Sequence, residues 1–136
     1  MDSKLRFTAI CLLVINGLGA LWGGGALIYD PTGEFLQLSA DFIKNSPFPN
    51  YLIPGIILFV ANGLLSLFVA YYTVKKGKYH AHLIIAQGLI LAIWLSVQIA
   101  ILQVFYALMH LPFYLISLGF IVIGSLLLRS QKNSYP

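Results

Sequence analysis

Residues 79–128 read YHAHLIIAQGLILAIWLSVQIAILQVFYALMHLPFYLISLGFIVIGSLLL, and this stretch contains no Asp, Glu, Lys or Arg. As one straight helix, rising about 1.5 Å per residue, it would be roughly 75 Å long, whereas the hydrocarbon core of a bilayer is about 30 Å thick. The stretch therefore predicts two membrane-spanning helices, joined by a bend near residues 106–110.

Two further uncharged stretches, residues 7–29 and 45–74, precede it, and each has the length of one membrane crossing. The sequence thus predicts an all-α membrane protein, a four-transmembrane-helix up-down bundle, in which residues 1–136 form a single integral membrane domain. The predicted spans are residues 5–29, 51–74, 81–104 and 109–128.

The composition agrees with this class, since 60% of the residues are hydrophobic and only 9% are charged, against about a quarter in soluble domains. The net charge of +4 does not indicate a nucleic-acid-binding protein, because the basic residues are placed at predicted helix ends rather than on one solvated face. The single cysteine, Cys11, has no second cysteine for an intrachain disulfide, a redox pair or a metal cluster. No cofactor is predicted.

The connector between the first two spans is predicted to contain a short amphipathic helix on the membrane surface, over residues 34–45. Apolar residues recur there at intervals of three and four and alternate with polar residues. Asp30, Pro31 and Gly33 ahead of it predict a turn, and the prolines that follow it end the segment.

The basic residues indicate the orientation of the bundle. They concentrate at the N-terminus, in the second connector (Lys75, Lys76 and Lys78) and at the C-terminus, whereas the first connector has only Lys44 and the third has none. Because basic residues accumulate on the cytoplasmic side of a membrane, both termini and the second connector are predicted to be cytoplasmic.

Two asparagines lie near the middle of predicted spans, where lipid cannot satisfy their hydrogen-bonding groups. Residues 14–21 (VINGLGAL) and 60–67 (VANGLLSL) share the pattern V-x-N-G-L-x-x-L, which places Asn16 and Asn62 at a common depth in an antiparallel helix pair. The two carboxamides are candidates for bonding the helices together or for lining the path of a ligand or ion.

A second candidate site lies in the third span, where Gln87, Trp94 and Gln98 fall on one face of a helix. This stripe is predicted either to line a cleft for an amphipathic ligand, with the indole ring between two carboxamides, or to bond other polar side chains inside a packed bundle. The candidate ligand-binding or interhelical polar residues are therefore Asn16, Asn62, Gln87, Trp94 and Gln98.

Side chains typical of catalytic or metal sites are not clustered along the chain. His80 and His82 precede the core of the third span while His110 lies near its opposite end, and none is spaced with Cys, Asp or Glu as metal ligands are. The cores of the four spans contain no Asp, Glu, Lys or Arg, which argues against hydrolysis or proton coupling within the membrane. We therefore expect no catalytic or metal-binding residues.

Three strings in the chain resemble those of small bacterial four-helix integral membrane proteins that have no known activity. The strings are residues 30–33 (DPTG), 46–55 (SPFPNYLIPG) and 94–98 (WLSVQ). The resemblance covers most of the chain and implies the same architecture and a location in the bacterial inner membrane. It implies no activity.

These observations leave three functional hypotheses. The first is a non-enzymatic accessory or scaffold subunit that, within the bilayer, binds lipid or another apolar ligand such as a quinone, a membrane protein partner, or a second copy of the chain. The second is a small transporter or channel for a neutral or amphipathic solute, lined by the carboxamides. The third, an enzyme acting on a lipid or quinone through Asp30, Glu34 or Asp41, is the least favoured.

Overall fold

The computed structural model describes residues 2–38, 44, 46–102 and 107–134, and these residues form four long helices and no strand. The helices are α1 (Asp2–Tyr29), α2 (Leu52–Val74), α3 (His80–Leu102) and α4 (Ala107–Ser134). Each contains a segment that is long and apolar enough to cross a membrane. The prediction of an all-helical chain with four helices of membrane-crossing length is confirmed.

Each helix packs against the next along the chain, and α4 also packs against α1, so that the four helices close into a bundle. The Ser117 hydroxyl of α4 donates to the Gly88 carbonyl oxygen of α3 at 2.6 Å. The Ser130 hydroxyl, near the end of α4, donates to the Asp2 carboxylate at the start of α1 at 2.7 Å. Because few residues separate α2 from α3 and α3 from α4, the helices of each of these pairs run antiparallel.

The centre of the bundle is filled by apolar side chains from all four helices. The large buried ones include Leu13 of α1, Val69 of α2, Ile84 of α3 and Phe120 and Leu127 of α4. Outward-facing positions on every helix also carry large apolar residues. A helix that is apolar all round is typical of burial in a large core or in lipid.

The helices α1 and α2 approach each other closely at two facing glycines. A methyl group on Gly24 would lie 2.7 Å from the carbonyl oxygen of Gly55, and one on Gly55 would lie 2.7 Å from Cβ of Leu27. Small residues of this kind let the backbones of membrane helices come into contact. The close approach brings the last turns of α1 against the first turns of α2.

The middle of α2 departs from α-helical geometry. Residues Leu52–Ile57 and Leu65–Val74 are α-helical, but Leu58–Leu64 form a π-helical turn, in which each N–H bonds the carbonyl five residues earlier. This π-helical turn contains Asn62 and packs against both α1 and α3. Such turns are rare and frequently occur at functional sites, which makes the polar side chains around this one candidates for function.

The bend between α3 and α4 was predicted near residues 106–110, but the described part of that range, residues 107–110, is helical. Helix α3 covers His80–Leu102 and α4 covers Ala107–Ser134, while residues 103–106 lie outside the described residues. His110 and Pro112 therefore lie inside the first two turns of α4. Pro112 lies beyond the first turn and has no N–H, so the carbonyl oxygen of residue 108 lacks the hydrogen bond that it would otherwise accept in an α-helix.

Helix α4 also extends further than predicted, to Ser134 rather than residue 128. Residues 129–134 contain neither Gly nor Pro, so neither of the residues that most strongly end a helix interrupts α4 there. In this additional part, Nε2 of Gln131 lies 3.3 Å from Nδ1 of His80 in α3. Polar contacts between helices thus continue beyond the end of the apolar pattern.

The connector after α1 begins with the predicted turn, built on the Asp30 side chain. Its carboxylate accepts the Thr32 hydroxyl at 2.6 Å and the Phe35 backbone N–H at 3.0 Å. Gly33 adopts a left-handed conformation, with φ of 83°. The buried Tyr51 ring packs against this connector, so that the turn is part of the folded structure.

The predicted surface helix over residues 34–45 is described only in part, because residues 39–43 and 45 lie outside the described residues. Its beginning, Glu34–Leu36, is a single 3-10 turn rather than the first turn of an α-helix. Gln37 follows in the left-handed region, with φ of 59°, which interrupts a right-handed helix. The start of the predicted helix at residue 34 is therefore wrong.

Candidate functional site: a buried amide network

Asn16 of α1 is buried against the π-helical turn of α2, with 1% of its surface exposed. Its Nδ2 donates to the Ser66 hydroxyl oxygen at 2.9 Å and, more weakly, to the Asn62 backbone carbonyl oxygen at 3.5 Å. Asn16 and Asn62 thus share an interhelical space, but not as a pair of facing carboxamides. The Asn16 carboxamide bonds the backbone carbonyl oxygen of Asn62 and the side-chain hydroxyl of Ser66, which lies one turn later in α2.

Gln87 reaches the same π-helical turn from α3 and is fully buried. Its Nε2 donates to the Ala61 carbonyl oxygen at 3.2 Å and to Asn62 Oδ1 at 3.4 Å. Because a backbone carbonyl can only accept, Ala61 determines which end of the Gln87 carboxamide is the NH₂ group, and this in turn determines the orientation of Asn62. Helix α2 is therefore bonded by α1 on one side and by α3 on the other.

These contacts define an amide network of Asn16, Asn62, Ser66 and Gln87, which joins three helices. Two of its atoms, Asn62 Nδ2 and Gln87 Oε1, are buried and have no hydrogen-bond partner among the described residues. The first is a hydrogen-bond donor and the second is an acceptor. Each can therefore still bond to a neutral group, such as a hydroxyl or an amide, that both donates and accepts hydrogen bonds. The four side chains do not titrate near neutral pH, and their chemistry is hydrogen bonding alone.

Trp94 and Gln98, the remainder of the predicted stripe on α3, are not joined to the amide network. Trp94 is half-buried, and its indole Nε1 is buried without a hydrogen-bond partner in the described part of the chain. Gln98 is partly exposed and lies roughly 16 Å along the helix axis from Gln87. The stripe predicted from the spacing is thus divided between the bundle core and a half-buried surface.

A shallow groove of about 400 Å³ lies on the exposed side of α3. It is lined by Ala92, Ile93, Ser96, Val97 and Ala100. The lining includes none of the predicted ligand-binding residues. Ser96 is the one polar residue among those that line the groove. Its hydroxyl already has a partner, because it lies 2.9 Å from the Tyr114 hydroxyl of α4.

The three histidines occupy different environments. His80 is buried at the start of α3, where its Nδ1 lies 2.7 Å from the Gly77 carbonyl oxygen. His82 is exposed and contacts the Tyr79 ring edge-on, with the ring centres 5.8 Å apart. His110 is buried in α4. Within the described ranges, no three His, Cys, Asp or Glu side chains lie close enough to hold a metal ion.

Two features of the amide network were not predicted from the sequence: the Ser66 hydroxyl and the backbone carbonyl oxygens that accept hydrogen bonds from the network. Ser66 follows Asn62 by four residues, so helical spacing alone places both on one face and could have identified it. The backbone carbonyl oxygens of Ala61 and Asn62 are acceptors because the π-helical turn lies against α1 and α3. No composition or periodicity in the sequence indicates that turn.

The structure defines a helical protein with four candidate membrane spans. Comparison of the chain with protein-family models, with curated proteins and with solved structures found no match. Function is therefore inferred from the bundle and its amide network.

Proposed function

We propose that the protein is a non-enzymatic, multi-pass membrane protein that serves as an accessory or scaffold subunit and binds lipid or another apolar ligand on its outward faces. It resides in the bacterial inner membrane, with both termini in the cytoplasm. The concentration of basic residues at alternate connectors supports this orientation, and the resemblance carried by residues 30–33, 46–55 and 94–98 supports the location.

The observation that carries this proposal is that the amide network bonds helices to one another. Asn16, Asn62 and Gln87 are at most 1% exposed, and their carboxamides contact backbone and side-chain groups of neighbouring helices. Polar residues that line a solute pathway face a water-filled cavity instead. The surfaces that remain for a ligand or partner subunit are the outward faces, which carry exposed, large apolar side chains.

The chemistry of the amide network supports a non-enzymatic role. Carboxamides and hydroxyls donate and accept hydrogen bonds, but they are weak acids and bases near neutral pH. General acid–base catalysis uses His, Glu, Asp or Lys within reach of the reacting group, and the network contains none of these residue types.

Mass spectrometry of the protein, purified in a mild detergent from its own membrane, tests this proposal. A stoichiometric lipid, quinone or protein subunit should remain bound, whereas an unrelated four-helix membrane protein purified in parallel should carry only the bulk lipid mixture. If the protein retains no such species, or only what the control retains, the binding role is contradicted.

A second candidate function, a small transporter or channel for a neutral solute, is favoured by one observation. Asn62 Nδ2 and Gln87 Oε1 offer a buried donor and acceptor that no described residue pairs with. Glycerol or urea, which carry both kinds of group, are suitable probes in a swelling assay with proteoliposomes. Flux above that of protein-free vesicles, lost in Gln87→Leu, would favour transport, and the accessory-subunit proposal expects no such flux.

A further inference from the structure

The connector between α2 and α3 is a hydrogen-bonded, strongly basic turn. This basic connector consists of Lys75, Lys76, Gly77 and Lys78. The Lys76 N–H bonds the Thr73 carbonyl oxygen at 2.9 Å. Its own backbone lies in the left-handed region, with φ of 54°.

Aromatic side chains hold the connector in place. The Gly77 N–H bonds the Tyr72 carbonyl oxygen at 3.0 Å, and Gly77 lies so close to the Tyr72 ring that a methyl group would overlap it. The Tyr72 hydroxyl accepts the Tyr79 backbone N–H at 3.2 Å, and the Gly77 carbonyl oxygen lies 2.7 Å from Nδ1 of His80. The lysines are thus presented on a backbone fixed by side chains from both helices.

All three lysines of the basic connector are exposed. The ammonium of Lys75 lies 5.6 Å from the centre of the Tyr71 ring, and that of Lys78 lies 5.5 Å from the centre of the Tyr79 ring. Cations placed over aromatic rings are attracted by the ring quadrupole, which keeps the two ammonium groups near the helix ends.

The charge at this end of the bundle is strongly positive. Seven of the eight Lys and Arg residues lie there, on the start of α1, the basic connector and the end of α4. They are Lys4, Arg6, Lys75, Lys76, Lys78, Arg129 and Lys132. Asp2 is the one acidic residue among the described residues of this end, and it accepts a hydrogen bond from Ser130.

An exposed apolar face of α2 adjoins the basic connector. Phe68, Tyr71 and Val74, at intervals of three residues, are 53%, 63% and 57% exposed. Together with the lysines they present an apolar strip that ends in a cluster of positive charge. This is the complement of a lipid that carries a negative headgroup.

We propose that the basic connector binds the headgroup phosphate of an anionic phospholipid, with an acyl chain lying along Phe68, Tyr71 and Val74. A free phosphate ion offers the same charge, but it would leave the adjoining apolar strip unused. This inference rests on the proposed function, in which the four helices lie in a bilayer and bind lipid. It specifies the ligand class and places one binding site.

Native mass spectrometry of the full chain in mixed phosphatidylglycerol and phosphatidylcholine tests this site. A lysine near an anionic surface contributes roughly fivefold to binding, so the triple variant Lys75→Gln, Lys76→Gln, Lys78→Gln should retain at least about tenfold less phosphatidylglycerol. Lys44→Gln, which removes a basic residue outside this cluster, is the matched control and should retain it as the parent does. Because the three side chains are exposed, the thermal transition should be unchanged.

Other outcomes overturn the inference. If the parent protein retains both lipids equally, the connector does not select an anionic headgroup. The same conclusion follows if the parent and the triple variant retain equal amounts of phosphatidylglycerol. Displacement of the lipid by excess inorganic phosphate alone indicates a free-anion site instead. A parent that binds lipid without preference refutes this site but leaves the proposed function, whereas a parent that retains no lipid or other ligand at all contradicts both. If the triple variant does not fold, Lys75→Gln and Lys78→Gln are compared singly by the same criterion.

Discussion

The carboxamide of Gln87 in α3 donates to the backbone carbonyl oxygen of Ala61 in α2, at 3.2 Å. Ala61 belongs to the π-helical turn Leu58–Leu64, so a side chain of one helix bonds an irregular segment of another. Irregular backbone at membrane depth requires its polar groups to be satisfied within the protein. The amide network provides such partners, from Gln87 on one side and Asn16 on the other.

Replacing Gln87 by leucine should destabilise the bundle modestly. The substitution removes two hydrogen bonds, and a hydrogen bond between membrane helices contributes about 0.6 kcal/mol on average, so we expect a loss of about 1 kcal/mol. Gln98→Leu, the same change on the same helix at a partly exposed position outside the network, should change stability by less than about 0.5 kcal/mol. The free energy of unfolding in a denaturing detergent measures both. Equal losses in the two variants would contradict a special role for Gln87.

Asn16 and Ser66 should be energetically coupled. Their hydrogen bond of 2.9 Å is buried and joins α1 to α2. In a double-mutant cycle with Asn16→Ala and Ser66→Ala, the two losses should not add, with a coupling of about 0.5 to 1.5 kcal/mol. As a control, Asn16→Ala combined with Ser117→Ala should be additive, because Ser117 bonds the Gly88 carbonyl oxygen instead. Additivity in both cycles would show that the contact contributes nothing.

Two glycines of α1 should respond oppositely to alanine. A methyl group on Gly24 would lie 2.7 Å from the carbonyl oxygen of Gly55 and from the backbone nitrogen of Phe59, so Gly24→Ala should destabilise by about 1 to 3 kcal/mol. Gly19 has nothing within 4 Å of the same position, and Gly19→Ala should leave stability unchanged or raise it by up to about 1 kcal/mol. Thermal unfolding of the two variants, measured side by side, distinguishes close helix contact from a general intolerance of α1 to substitution.

The sequence predicts the four helices because their defining signal is local. An uncharged stretch of the right length needs no knowledge of its neighbours, and each of the four predicted spans overlaps an observed helix. The presence of Asn16, Asn62 and Gln87 in the core was predictable for the same reason, since carboxamides within apolar stretches require partners.

What the sequence did not predict depends on contacts between distant residues. The π-helical turn and the acceptor role of the Ala61 carbonyl oxygen arise from the packing of α2 against its neighbours. The extension of α4 to Ser134 lies beyond the apolar pattern from which its end was inferred. The predicted start of the surface helix at Glu34 failed because hydrophobic periodicity does not report the left-handed backbone of Gln37.

The proposed topology can be tested with reporter fusions. Basic residues cluster at the N-terminus, in the basic connector and near the C-terminus, and therefore favour the cytoplasm for all three. Fusions at Gln37 and after Pro136 should report opposite sides of the membrane, and a fusion after Gly77 should report the same side as the latter. If the fusions at Gln37 and after Pro136 report the same side of the membrane, a topology of four spans between two cytoplasmic termini is ruled out.

The turn after α1 should loosen at low pH because of Asp30, which lies outside the spans. The hydrogen bond from the Thr32 hydroxyl, together with the Phe35 backbone N–H, holds the pKa of the Asp30 carboxyl below its usual value of 3.8. A lowered pKa means that the charged form stabilises the folded turn. This contribution is fully present above the usual pKa and is lost as the pH falls through the lowered one.

Hydrogen exchange of the Phe35 amide measures this effect, because that N–H donates to the Asp30 carboxylate. Its protection, corrected for the intrinsic pH dependence of exchange, should fall as the pH drops below 3.8. Asp30→Asn keeps a side-chain acceptor but cannot titrate, so its protection should be lower than that of the parent at neutral pH and independent of pH through the same range. A parallel decline in the variant would assign the loosening to other groups and contradict the role of Asp30.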